Sequence, residues 1–146
     1  MFILGIKEKC KKYNSKKTVI IYILVTIFAF VVNKVYALFG HGVSSDSMTW
    51  MFLYPLIGGA VLFLLLGFLF PELNRFIGYR IFFNLYNSGI AVLTVGSLLK
   101  GIMEIAGTSS SYLTLYYISG YVFVCVSFVL LLLLALNYRK IILLKY

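Results

Sequence analysis

Four apolar stretches, each long enough to cross a lipid bilayer, run through this chain, with its Lys and Arg crowded between and outside them. A transmembrane helix needs about 20 apolar residues, at about 1.5 Å of rise each, to span a hydrocarbon core of about 30 Å. Four crossings use most of the 146 residues, so no separate soluble domain fits. Charged residues make up only 12% of the chain, too few to cover a water-soluble domain of this size. Lipid has to be the solvent.

The pattern predicts an all-α fold, a four-helix transmembrane bundle with spans at about 18–39, 50–70, 81–105 and 112–137. A basic N-terminus, 1–17, precedes the membrane domain, 18–138, and a basic tail, 139–146, follows it. Barrel strands alternate polar and apolar residues over about 10 positions, whereas these runs are apolar on every face. The Lys-rich N-terminus also reads as the start of a signal peptide, but a cleavable apolar core has roughly 7–15 residues and ends in small ones. This run ends in Tyr36, Ala37, Leu38 and Phe39, which marks a retained first span.

Basic residues set the expected orientation. Of the 13 Lys and Arg, all but Lys34 and Lys100 fall before the first span, between the second and third, or after the fourth. The positive-inside rule then places both termini in the cytoplasm, with the protein multi-pass in the cell membrane. The formal charge of +9 reads as a topology signal and as attraction to a lipid bilayer with anionic headgroups. Nucleic acid is not an expected partner, because no folded domain presents the Lys cluster. Cys10 and Cys125 lie at different depths, so a disulfide between them is not expected.

Small and polar residues mark where helices meet. Pro55, Gly58 and Gly59 in the second span form a candidate contact face, with a hinge as the functional alternative. The third span is the least oily and is expected at the centre. At 100° per residue it carries Asn84, Asn87 and Ser88 on one stripe and Gly89, Gly96, Ser97, Lys100 and Glu104 nearly opposite. Asn84, Asn87, Ser88, Gly89 and Gly96 are therefore read as packing residues.

The non-cytoplasmic end gathers the remaining ionisable groups. Lys100 and Glu104, spaced i, i+4, are placed to pair, while Lys34, His41 and Asp46 come to the same level with Tyr54 and Tyr116 nearby. Three readings of this cluster stay open. It is a solvated rim with an aromatic belt, a pocket for a small polar or anionic ligand in which Lys34 and Lys100 supply charge, or an enzyme site using His41 as a base. One His and no Cys at this end do not make a standard zinc site without two carboxylates, and a bis-His haem is impossible within one chain. No phosphate-binding glycine loop occurs in a strand-to-helix context, so no cofactor and no catalytic residue is expected.

Three segments carry a resemblance: His41-Gly-Val-Ser-x-x-x-Met48, Tyr54-Pro-Leu-Ile-Gly-Gly59, and Asn84 to Gly107, NLYNSGIAVLTVGSLLKGIMEIAG. Together they resemble a family of small four-span bacterial integral membrane proteins with no assigned activity, over roughly the first three spans. The resemblance implies a four-span topology in a bacterial inner membrane and no particular chemistry. The expected function is thus a non-enzymatic membrane protein, accessory or sensing, that binds a small ligand or a partner at the outer polar pocket. The alternative is a small oligomeric transporter or channel, and a membrane enzyme comes third. A membrane protein partner or a second copy of the chain completes the expected associations.

Overall fold

A computed structural model describes residues 15–39, 45–69 and 77–143. Within them the chain forms α1 (Ser15–Phe39), α2 (Asp46–Thr49), a π-helical segment (Tyr54–Val61), α3 (Leu62–Leu69), α4 (Ile77–Ile105) and α5 (Tyr112–Leu143). The pieces α2, π segment and α3 run on as one second span, giving four helices long and apolar enough to cross a membrane. Large apolar side chains turn outward, among them Phe28 at 69%, Phe68 at 85% and Leu132 at 63% exposure. Such a surface suits a bilayer and not water.

Helix ends overrun the apolar runs. The third helix starts at Ile77 rather than near 81, taking in Arg80, and α5 continues past Asn137 to Leu143. Hydropathy marks only the oily part of a helix, whereas backbone hydrogen bonding carries on through the headgroup region. The second span starts at Asp46 rather than Trp50, because Ser45 caps it: extended at φ −107°, it accepts the Met48 N–H at 3.2 Å. Gly107, at φ +67°, ends α4. Thr108 N–H donates to the Met103 carbonyl at 2.9 Å and Gly107 N–H to that of Glu104 at 3.2 Å, a Schellman closure.

Each helix packs against the next in chain order and antiparallel to it. Tyr22 of α1 stacks on Phe63 at 5.5 Å, and Phe30 meets Phe52 at 6.2 Å. On the other flank of the second span, Tyr86 and Ser97 of α4 reach Gly58 and Ser47. Helix α5 lies on α4 with Phe128 against Tyr86 at 5.8 Å. Among the described residues, none of α1, α2, the π segment and α3 brings its backbone into close approach with α5. The four helices thus make an open row rather than a closed ring, with α4 shared by the second span and α5.

The α4–α5 crossing depends on two glycines. A Cβ on Gly120 would lie 2.7 Å from the Leu93 side chain, and one on Gly89 would lie 2.8 Å from Val124 Cγ2 and 3.1 Å from the Gly120 carbonyl oxygen. Without a hydrophobic force between helices in lipid, such close backbone approach is what holds them together. The largest buried cluster, however, sits toward the end where the chain starts and finishes. There Phe63 lies 5.2 Å from Phe83 and 5.8 Å from Tyr86, with Val19, Tyr22, Phe82 and Leu134 around them. Replacing Gly120 by Leu should therefore lower stability by about 1–3 kcal/mol through overpacking. Leu132→Ala, which trims a lipid-facing side chain, should cost clearly less. Melting in detergent measures both, and equal losses would mean that α5 faces α4 differently.

Candidate functional site

The site lies at the end of the molecule where α1 and α4 finish and the second span and α5 begin, called the distal end below. Its frame is a carboxylate held by serines. The Ser45 hydroxyl donates to Glu104 Oε2, and the Ser47 hydroxyl donates to Glu104 Oε1 at 3.0 Å. One turn lower, the Ser97 hydroxyl donates to the Ser47 carbonyl at 2.6 Å. Met48 packs against Gly101, where a Cβ would lie 2.5 Å from Met48 Cβ. These contacts fasten the start of the second span onto the last turns of α4.

Lys100 is already occupied by this frame. Its ammonium lies 3.8 Å from Glu104 Oε1, one turn away on the same helix, and 5.9 Å from the centroid of the Tyr117 ring. Both partners of the ion pair are more than a third exposed, so the pair itself adds little stability. Its consequence is electrostatic: the Lys100 charge is answered locally by Glu104. Lys34 stands apart on α1, exposed, with its ammonium 5.4 Å from the ring of Phe30 on its own helix. Among the described residues no ion pair or hydrogen bond links Lys34 to Lys100, Glu104 or Asp46. His41 lies outside the described residues.

Beside the frame, a cleft of about 550 Å³ opens between the second span and α5, with α4 at its back. Asp46, Ser47, Trp50 and Ser97 line it at the distal end, Leu53, Tyr54 and Tyr117 follow, and Ile57, Gly58 and Ile90 line it deeper in. Tyr54 faces Tyr117 and Tyr121 of α5 across this gap. The cleft grades from polar to apolar with depth. Tyr116 does not line it, but seats on Gly96, where a Cβ would lie 3.0 Å from Tyr116 Cβ.

The residues read as helix contacts divide as follows. Pro55 is buried, and a Cβ on Gly59 would overlap the ring of Tyr22. A Cβ on Gly58 would lie 2.6 Å from Ile90 Cδ1, while its carbonyl accepts from Tyr86 at 2.5 Å. Pro55 has no N–H to give the Met51 carbonyl, which takes the Tyr54 N–H at 3.3 Å instead, and the helix widens to π geometry from there. Asn87 accepts the Tyr22 hydroxyl across from α1. Asn84 and Ser88 are exposed, and Gly89 and Gly96 are buried.

Ser45, Ser47, Ser97, Trp50, Ile57 and Tyr117 do not stand out in the sequence as site residues. Two signals point toward them: Ser45 followed by Asp46 marks a helix start, and Ser97 falls on the same stripe as Lys100 and Glu104. No group of three or more His, Cys, Asp or Glu suited to a metal occurs among the described residues. Compared with known proteins, the chain matches no protein-family model, no curated protein and no solved structure.

The Ser45 hydroxyl both caps the second span and bonds Glu104, so Ser45→Ala should cost about 1 kcal/mol, the usual value of a lost N-cap, or somewhat more. Lys100→Met should cost less than about 1 kcal/mol, the range of an exposed ion pair. Denaturation in detergent compares the two. A larger loss for Lys100→Met would show that the ion pair, not the serine frame, secures the distal end.

Proposed function

We propose that this protein is a non-enzymatic binder of a small amphiphilic molecule, held in the cleft between the second span and α5. The observation that carries this reading is the cleft's gradient, from Asp46, Ser47 and Ser97 at the membrane boundary to Ile57, Gly58 and Ile90 deeper within. A ligand pocket needs mostly apolar walls with a few convergent polar groups, and this one has both in depth order. Its side opening between two spans admits a molecule that is itself dissolved in the membrane.

Narrowing the cleft tests the reading. Leu53→Phe and Ile57→Phe place extra bulk on its wall, whereas Leu132→Ala changes only a lipid-facing position. Native mass spectrometry of protein released from detergent micelles should show one retained amphiphile per chain, lost in both Phe variants and kept in Leu132→Ala. Protein that carries none, or retention unaffected by filling the cleft, would remove the basis for the reading.

The same proposal places the cleft on the non-cytoplasmic face of a cell membrane. What supports it is the arrangement of bases: Lys16, Lys17 and Arg80 stand exposed at the end opposite the cleft, where helix positions 139 and 140 also fall. Reporter insertions at Ser45 and Ser110 should therefore report the outside, and a fusion after Lys17 the cytoplasm. A cytoplasmic Ser45 tag would reverse the orientation.

A further inference from the structure

We infer that the occupant of this cleft is a membrane lipid whose headgroup carries an ammonium, as phosphatidylethanolamine does; the inference rests on the amphiphile-binding reading above. Three observations carry it.

The first is charge. Asp46 is the one ionic side chain that lines the cleft, and no ion pair engages it among the described residues. At the rim, Glu104 holds Lys100. Two carboxylates thus face one ammonium at this end of the site, leaving a local excess of negative charge. An anionic headgroup would meet Asp46 unscreened and compete with Glu104 for Lys100. A cationic nitrogen meets a free carboxylate.

The second is the wall chemistry. Trp50, one turn on from Asp46, lines the same distal part of the cleft, and Tyr117, whose ring carries Lys100, and Tyr54 line it further along. Aromatic faces beside a carboxylate attract an ammonium through their quadrupoles. The indole N–H of Trp50 and the tyrosine hydroxyls are groups able to donate to a phosphodiester oxygen.

The third is length. From Asp46 to Gly58 the second span advances twelve positions, at most about 18 Å at α-helical rise. Half of a bilayer core is about 15 Å. The apolar part of the cleft therefore accommodates an acyl chain of one leaflet, lying along Leu53 and Ile57. A soluble amine would leave Leu53 and Ile57 without a partner, and this is what favours the lipid.

The chain supplies its own reporter, because Trp50 is its one tryptophan and lines the cleft. The full chain is reconstituted in phosphatidylglycerol bilayers containing a minor fraction of phosphatidylethanolamine with brominated acyl chains, which quench tryptophan on contact. In a matched sample the brominated lipid is phosphatidylglycerol at the same fraction. The expected result is about two- to five-fold greater quenching by the ethanolamine lipid, the range that an exposed ion pair supports. Asp46→Asn should abolish that preference and Asp46→Lys should invert it. Equal quenching by both lipids, above the level in Ile57→Phe, would overturn the ammonium assignment and leave the amphiphile-binding reading standing. Quenching no greater than in Ile57→Phe for either lipid would remove both. Loss of the preference on adding soluble phosphoethanolamine would overturn the lipid source and assign the cleft to a soluble amine.

Discussion

The approach of α4 to α5 at Gly89 and Gly120 decides how the other helices can be arranged. In a bilayer there is little to gain by moving a leucine from lipid to a helix interface, so contact has to come from backbone proximity and from polar groups. The two glycines let α5 lie against one side of α4, where added Cβ atoms would meet Leu93 and Val124. The second span takes another side, through Tyr86 with Gly58 and Ser97 with Ser47. With both neighbours seated on α4 and no close backbone approach between them among the described residues, a gap along α4 follows from the packing.

What fills that gap differs with depth. Toward the chain termini, Phe63, Phe82, Phe83 and Tyr86 are bulky enough to occupy the space between helices, and the interior there is continuous. Toward the distal end Ser47 and Ser97 face the gap and are too small to close it, and Trp50, Tyr54 and Tyr117 line it without filling it. Serine hydroxyls replace apolar volume as the means of attachment. Such bonds are short and directional, so they hold the second span at α4 while leaving the adjacent space unfilled. The cleft is in this sense the complement of the aromatic core.

The sequence made the architecture legible because a membrane span is recorded in bulk properties: length, hydropathy and the absence of charge. The open row was not legible. Nothing in the periodicity of α5 shows which face meets α4, since it is apolar all round and only Gly120 and Ser127 mark the buried side. The site was legible in part. Lys100 and Glu104 pair as their spacing implies, because i, i+4 proximity is a local property of a helix. The sequence puts Lys34 with them by depth alone, and depth does not specify azimuth: α1 lies on the far flank of the second span. The partners of Glu104 come from Ser45 and Ser47, more than 50 positions away in the chain. No local pattern encodes a contact of that range.

This difference changes the sign of the chemistry. Read from the sequence, two lysines below the outer surface suggest a site that attracts anions. In the structure Lys100 is answered by a carboxylate that is itself fixed by two hydroxyls, one on each oxygen, and Lys34 is absent from the cleft wall. A charge that is paired on its own helix contributes little field to its surroundings, whereas an unpaired one beside low-dielectric walls dominates them. Among the described residues Asp46 is that unpaired charge. The affinity of the cleft is thus set less by how many bases the distal end contains than by which of its charges the serine frame leaves without a partner.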